Sequence, residues 1–181
     1  MRPKNSDQQR GLVELCQTVK NKLEDNNLEI VEIGSYCGGS TEIIASVFKK
    51  SKINCVDPWQ KYVEDCSVYD LDRQELELKE AEMIFEQVIQ QYPNVTKNKT
   101  TSSDYVKNVL DQSIDFIYID GNHQYSSVKE DIFNWLPKIK RGGVLSGHDY
   151  GWPSVSRALI EVLNRQPDKN FIDGSWIYYI L

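Results

Sequence analysis

The chain alternates between two hydrophobic periods. Leu12, Leu15, Cys16, Val19 and Leu23 recur at helical spacing behind Ser6 and Asp7, which can cap a helix; the run closes at Asn26 and Asn27. The run LEIVEI, from Leu28 to Ile33, is short, β-rich and stopped by Gly34. Ser40 then opens a helix that buries Ile43, Ile44, Val47 and Phe48, and KINCV (residues 52–56) reads as a strand ending at Asp57. Strand, glycine turn, helix and strand form a βαβ unit, and such crossovers imply a parallel sheet.

Periodicity lapses from Pro58 to about Gln74, where Trp59, Tyr62 and Tyr69 gather among acids, and a helix is predicted from about Glu75 to Gln91. Residues 58–92 therefore read as a lid-like insertion between the second and third strands. A weak strand over 95–100 and a short helix over 102–109 precede the strand DFIYID at 115–120. The next helix, 125–139, carries Val128, Ile132, Trp135, Leu136 and Ile139 on one face; Asp131 shares that face and is expected to pair with a neighbour. A strand at 142–147 leaves His148 and Asp149 at its C-terminal end, and Pro153 suits the first turn of a last helix. Extended runs around Phe171 and from Trp176 onward are joined by Asp173-Gly174, a hairpin signal. The pattern predicts an α/β fold: a doubly wound, Rossmann-like, mostly parallel sheet with helices on both faces and an antiparallel terminal hairpin. A single domain over 1–181 is expected, with 1–27 as its N-terminal helix.

Composition narrows the function classes. Apolar residues make up 40% and charged residues 27%, a globular balance rather than a disordered one. The 21 Lys and Arg against 27 Asp and Glu give a net charge of -6, which speaks against a nucleic-acid partner. No apolar run reaches the ~20 residues that cross a bilayer. The segment MRPKNSDQQR lacks the apolar core of a secretory signal, so a cytoplasmic protein without a membrane partner is expected. Cys16, Cys37, Cys55 and Cys66 form no CxxC pair and lie near no histidine, which argues against zinc and disulfides. Cys16 and Cys55 are expected in the core. Lys138, Lys140 and Arg141 read as a solvated turn.

In open parallel sheets ligands bind beyond the carboxyl ends of the strands, where strand order reverses. The residues there are 32–40, 57–59, 102–104, 120–125 and 148–152, and they include both histidines of the chain. A dinucleotide loop needs G-x-G-x-x-G so that its second glycine admits a pyrophosphate; here Tyr36 holds that place. The helix start at Ser40 still offers N–H groups to a smaller anion such as an amino-acid carboxylate. Asp57, 23 residues after Gly34, suits the two hydroxyls of a ribose. Ribose, carboxylate and no phosphate describe S-adenosylmethionine better than NAD. A tight glycine turn without a ligand is the other reading of the loop.

The stretches VEIGSYCGGST (31–41), VDPW (56–59), IDGNHQY (119–125) and GGVLSGHDY (142–150) resemble class I S-adenosylmethionine-dependent methyltransferases. They are most similar to the small O-methyltransferase-like group called methyltransferase family 24. The resemblance implies a seven-stranded sheet in the order 3-2-1-4-5-7-6, with the terminal hairpin as its last two strands. It also implies that Glu32, Gly34, Ser35 and Ser40 line the methionine end of the cofactor, in a loop that includes Tyr36, Gly38 and Thr41. Asp57 would hold the ribose with Pro58 and Trp59 beside it, Ser103 and Asp104 would lie near the adenine, and Asp120 would sit at the mouth of the acceptor site. Read as residues alone, Ser103-Asp104 is also a helix cap and Trp59 a core aromatic.

Asp120, His123, His148 and Asp149 are the sharpest cluster. Methyl transfer is an in-line displacement, so an enzyme has chiefly to position and deprotonate the acceptor oxygen. A histidine can take the proton, or a divalent ion can lower the hydroxyl's pKa. His123, His148 and Asp120 are thus the candidate catalytic residues, and Asp120 and Asp149 the candidate ligands of Mg²⁺ or another divalent cation. His148-Asp149 stands where the resemblance has an acid–amide pair. The expected reaction is O-methylation of a small hydroxylated acceptor of sugar, polyketide or phenolic type. A methyltransferase fold that binds the cofactor without turnover is the alternative. Exposed aromatics of the lid segment would permit a homodimer.

Overall fold

The computed structural model describes residues 6–24, 27–62 and 71–181. Helix α1 (Ser6–Leu23) leads into β1 (Glu29–Ile33), α2 (Gly39–Val47), β2 (Lys52–Val56), α3 (Leu71–Ile89) and β3 (Val95–Asn98). The second half runs α4 (Ser102–Tyr105), β4 (Ile114–Ile119), α5 (Tyr125–Trp135), β5 (Ile139–Gly147), α6 (Pro153–Leu163), β6 (Lys169–Asn170) and β7 (Trp176–Tyr179). The strands form one sheet in the order β3-β2-β1-β4-β5-β7-β6. Pairings from β3 across to β5 are parallel, and β7 is antiparallel to both β5 and β6. The order reverses at β1, which lies between β2 and β4, so the sheet opens a crevice at the C-terminal end of β1.

Both faces of the sheet are covered, which is why its strands read as nearly unbroken apolar runs. Ile30, Ile53, Cys55 and Phe116 pack under Leu15 and Val19 of α1, Ile44 of α2 and Phe85 of α3. Val31, Val56, Ile117 and Leu145 pack under Ile132 and Trp135 of α5 and Leu159 of α6. Each fully buried aliphatic side chain contributes roughly 1.5–3 kcal/mol. Cys16 and Cys55 are fully buried, as their neighbours in sequence predict. Among the described residues, no helix is long and apolar enough to cross a membrane.

Several boundaries differ from the periodicity. The helix expected to reach Ile139 ends at Trp135, because Pro137 brings no N–H and turns residues 136–138 into one 3₁₀ turn. Ile139 instead starts β5, whose register slips between the Ile114 and Phe116 pairings, next to Gly142 at φ 82. The helix predicted for 75–91 begins earlier, at Leu71. Of the expected lid, residues 63–70 with Cys66 and Tyr69 lie outside the described residues. Its described start is pinned by Gln74, whose Nε2 donates to the Tyr62 carbonyl (3.0 Å) while the Tyr62 N–H donates to its Oε1 (3.2 Å). Lys138 and Lys140 pair with Asp111 (2.7 Å) and Asp115 (2.8 Å), which neutralises most of the basic turn.

Candidate active site

The loop leaving β1 is held by close approach. A Cβ on Gly34, at φ 85, would stand 2.1 Å from the Asp120 carbonyl oxygen, so only glycine lets the β1 loop touch the end of β4. Gly38, at φ 80, turns the chain into α2. Between them Tyr36 takes the left-handed region at φ 45 and is half exposed. Its N–H donates to Asp57 Oδ2 (2.9 Å), and the Trp59 N–H donates to Oδ1 (2.7 Å). Burial pushes the Asp57 carboxyl above its ordinary value, against the pull of these backbone donors. The loops after β1 and β2 are thereby laced into one rim.

Trp59 turns inward from that rim. Its ring lies 5.0 Å from Phe85, and its indole N–H donates to the Tyr36 carbonyl (2.9 Å). It supports the loop from below, with Pro58 half-buried beside it. Asp104 is exposed and bonded within its own helix start: its N–H donates to Thr101 Oγ1 (3.2 Å) and its carboxylate pairs with Lys107 (2.7 Å). Those are the bonds of a helix cap. Ser103, half-buried, adjoins it.

Glu32 is fully buried beneath the loop. Its Oε2 accepts from Thr41 Oγ1 (2.5 Å), Ser35 Oγ (2.8 Å) and Cys55 Sγ (3.1 Å). Burial raises the carboxyl's pKa, opposed by the hydroxyls of Ser40, Thr41 and Ser35 and the Cys55 thiol. Its Oε1 has no hydrogen-bond partner and no contact with solvent. An unpaired buried carboxylate oxygen is costly unless a cation or donor arrives to meet it. The ammonium of an S-adenosylmethionine would meet it at this end of the loop, so these residues fit that cofactor.

Asp120, His123, His148 and Asp149 converge at the ends of β4 and β5, as their positions predict. His123 Nε2 stands 2.8 Å from Asp149 Oδ2 and 3.7 Å from Asp120 Oδ1; His148 Nδ1 stands 3.1 Å and 4.0 Å from the same two atoms. The His123 approach to Asp149 is the shorter of the two imidazole contacts. His148 is fixed at its backbone, with its N–H on the Ile119 carbonyl and its own carbonyl accepting from Trp176 Nε1 (2.9 Å). Burial alone would lower its pKa, but Asp149 and Asp120 override that and hold the imidazole at about 9. Burial opposes ionisation of Asp149 too, yet the two imidazoles keep its carboxyl well below the usual range. One carboxylate oxygen from each of Asp120 and Asp149 and a ring nitrogen of His123 lie within 4.8 Å of one another. That donor set suits a divalent ion of the Mg²⁺ to Fe²⁺ range, with His123 joining the two expected acids.

One buried joint beside the rim is built on Ser102, at the C-terminal side of β3. Ser102 Oγ donates to Asp131 Oδ1 (2.5 Å) and accepts from Trp135 Nε1 (2.8 Å), tying the start of α4 to α5. The partner expected for Asp131 is therefore Ser102. Burial pushes the Asp131 carboxyl up to about 6, with Ser102 opposing and Glu130 adding. Tyr125 and Lys129 both bond Glu161 on the outer α5–α6 surface.

Fold and family pattern together define the class: a class I S-adenosylmethionine-dependent methyltransferase domain. The sequence pattern of methyltransferase family 24, a methyltransferase domain, matches residues 31–150, and the chain belongs to that family. Two curated relatives are uncharacterised proteins: y4gI of Sinorhizobium fredii, 29% identical over 128 residues, and R132 of Acanthamoeba polyphaga mimivirus, 27% identical over 157. The matches cover 66% and 82% of this chain but only 13% and 65% of those relatives. Cofactor-bound Rv0187 from MTB superposes with a TM-score of 0.68 at 14% identity, covering 99% of this chain and 83% of that one. CalS11, a TDP-rhamnose 3'-O-methyltransferase of calicheamicin biosynthesis, gives 0.56 at 16% identity, covering 92% and 77%. At such identities the likeness to solved structures is one of fold.

Proposed function

We propose that the protein transfers a methyl group from S-adenosylmethionine to a hydroxyl of a small acceptor held at Asp120, His123, His148 and Asp149. One observation carries this reading. The Gly34 backbone, in the loop that would cradle the methionine end, abuts the Asp120 carbonyl, so cofactor loop and polar cluster share one rim. Displacement at a sulfonium needs the acceptor oxygen in line with the methyl carbon, and Asp120 and Asp149 flank that approach. A divalent ion, when bound by Asp120, His123 and Asp149, would lower the pKa of the acceptor hydroxyl. Without one, His123 is the group placed to take the hydroxyl proton, with Asp149 at 2.8 Å to stabilise the imidazolium that forms. Glu32 holds the cofactor's cationic end, and Asp57 offers its carboxylate edge to the ribose.

Calorimetric titration of S-adenosylmethionine, with and without Mn²⁺ or Mg²⁺, tests the reading. Micromolar binding that tightens with metal in the native protein, but not in Asp149→Ala, supports the metal route. Binding indifferent to metal supports His123 as base. No binding in either buffer removes the assignment. Tight binding without turnover on any hydroxyl compound leaves a cofactor-binding module.

A further inference from the structure

The four tryptophans of the chain divide three to one. Trp59, Trp135 and Trp176 are at most 5% exposed, and each indole N–H donates to a protein oxygen. Trp152 is 44% exposed, and its indole N–H bonds no described residue. It also occupies the N-cap of α6, where it makes no side-chain cap. Ser, Thr, Asp or Asn there would contribute about 1 kcal/mol, so the helix gains nothing from an indole in that place.

The ring is nevertheless firmly aimed. Asp149 adopts φ 57, the Trp152 N–H donates to the Asp149 carbonyl (2.9 Å), and Pro153 follows at the first helical position. This turn sets the indole 5.0 Å from the His123 ring at 41°. Gly151 and Pro153, on either side of Trp152 in the chain, are exposed as well.

We propose that Trp152 is the acceptor platform of the site, receiving the apolar face of an uncharged ring compound that carries adjacent hydroxyls. The inference rests on the methyltransferase reading and adds the substrate class to it. Aromatic faces bind flat apolar surfaces, and the amphipathic indole does so while its N–H stays wet. The acceptor atoms of Asp120, His123 and Asp149 fall within 4.8 Å of one another, a span that two neighbouring ring hydroxyls reach together. The two carboxylates disfavour an anionic acceptor. A sugar ring and an ortho-dihydroxy aromatic share this chemistry.

Because the other three tryptophans are buried, acrylamide quenching of intrinsic fluorescence reads Trp152. Protein with and without S-adenosylhomocysteine is titrated with methyl pyranosides and with catechol, and binding is measured in parallel by calorimetry. At least one of these ring diols is expected to shield Trp152 from quenching. Trp152→Ala should then weaken that ligand by roughly tenfold, and Trp152→Phe should restore most of the loss. S-adenosylmethionine affinity, which also reports folding, should be unchanged in both variants. Which diol shields the ring identifies its source. Cofactor binding with no diol protecting Trp152, or a Trp152→Ala protein that binds the diol as tightly as the native one, overturns the proposal. Failure of the cofactor to bind overturns the methyltransferase reading instead, and the cofactor-free arm then decides the platform by itself.

Discussion

Two acidic centres lie toward the carboxyl ends of β1 and β5, with β4 between them, and are built on opposite plans. Glu32 on β1 is sealed from solvent, and its Oε2 is surrounded by neutral donors, two hydroxyls and a thiol. Asp149 after β5 keeps 20% of its side chain exposed and is matched by two imidazoles. Neutral donors hold a carboxyl group in one geometry while burial raises its pKa, and Oε1 is left without a hydrogen-bond partner. Imidazoles cancel the charge and can release it, to a proton or to a metal. On the proposed function the first centre would fix the loop and the second would exchange partners, a division suited to a cofactor held still while its acceptor is deprotonated.

The largest effect should come from the glycine that joins the two centres. Gly34→Ala places a methyl 2.1 Å from the Asp120 carbonyl at φ 85, and backbone on both sides has to move. A loss of more than about 3 kcal/mol is expected by urea unfolding, with no measurable cofactor binding. Native-like stability in this variant would mean the loops do not meet as described. Next is Glu32→Gln, which sets an amide among three donors and removes the charge. It should cost about 1–3 kcal/mol in denaturant and depress cofactor affinity further. If affinity survives while stability falls, the orphan oxygen does not face the cofactor.

The exchanging centre is sharpened by pH. His148 titrates at about 9 in the folded chain against 6.5 ordinarily, so its stabilisation is complete below 6.5 and fades as pH rises through about 9. In chelator, the unfolding free energy should drop by about 1–3 kcal/mol over that window, and Asp149→Asn should flatten most of the drop. An undiminished slope in the variant would assign the titration elsewhere.

How much of this was legible depended on whether the cause was local. Strand and helix periods placed nearly every element, and the rule that ligands gather at strand ends brought Asp57, Asp120, His123, His148 and Asp149 forward. The start of β5 escaped because Pro137 and the Gly142-Gly143 pair act on register, which the apolar pattern of 139–147 does not encode. Trp59 reads equally as ligand or core, and only the approach of Phe85 from α3 turns it inward. The Ser102–Asp131 joint links residues 29 apart through the packing of α4 on α5. Trp152 falls within the strand-end residues 148–152, but its contact with the His123 ring comes from two loops meeting, which the pattern does not encode.

That Ser102–Asp131 joint gives the smallest and most specific test of the comparison. Asp131 is nearly as buried as Glu32 but has one hydroxyl donor, so its charge is the less well supported. Its pKa of about 6 against an ordinary 3.8 means the folded chain holds the proton more tightly, so this group's contribution falls as pH rises from about 4 to about 6. Asp131→Asn keeps an oxygen for the Ser102 hydroxyl and removes the buried charge. At pH near 5 the variant should be slightly less stable than the native chain. Above pH 7 it should match or exceed it by up to about 1 kcal/mol, relief of charge burial being offset in part by the weaker neutral hydrogen bond. Denaturant midpoints across that range would show the two curves crossing. Parallel curves would place the Asp131 carboxylate in a better-solvated setting than its burial indicates.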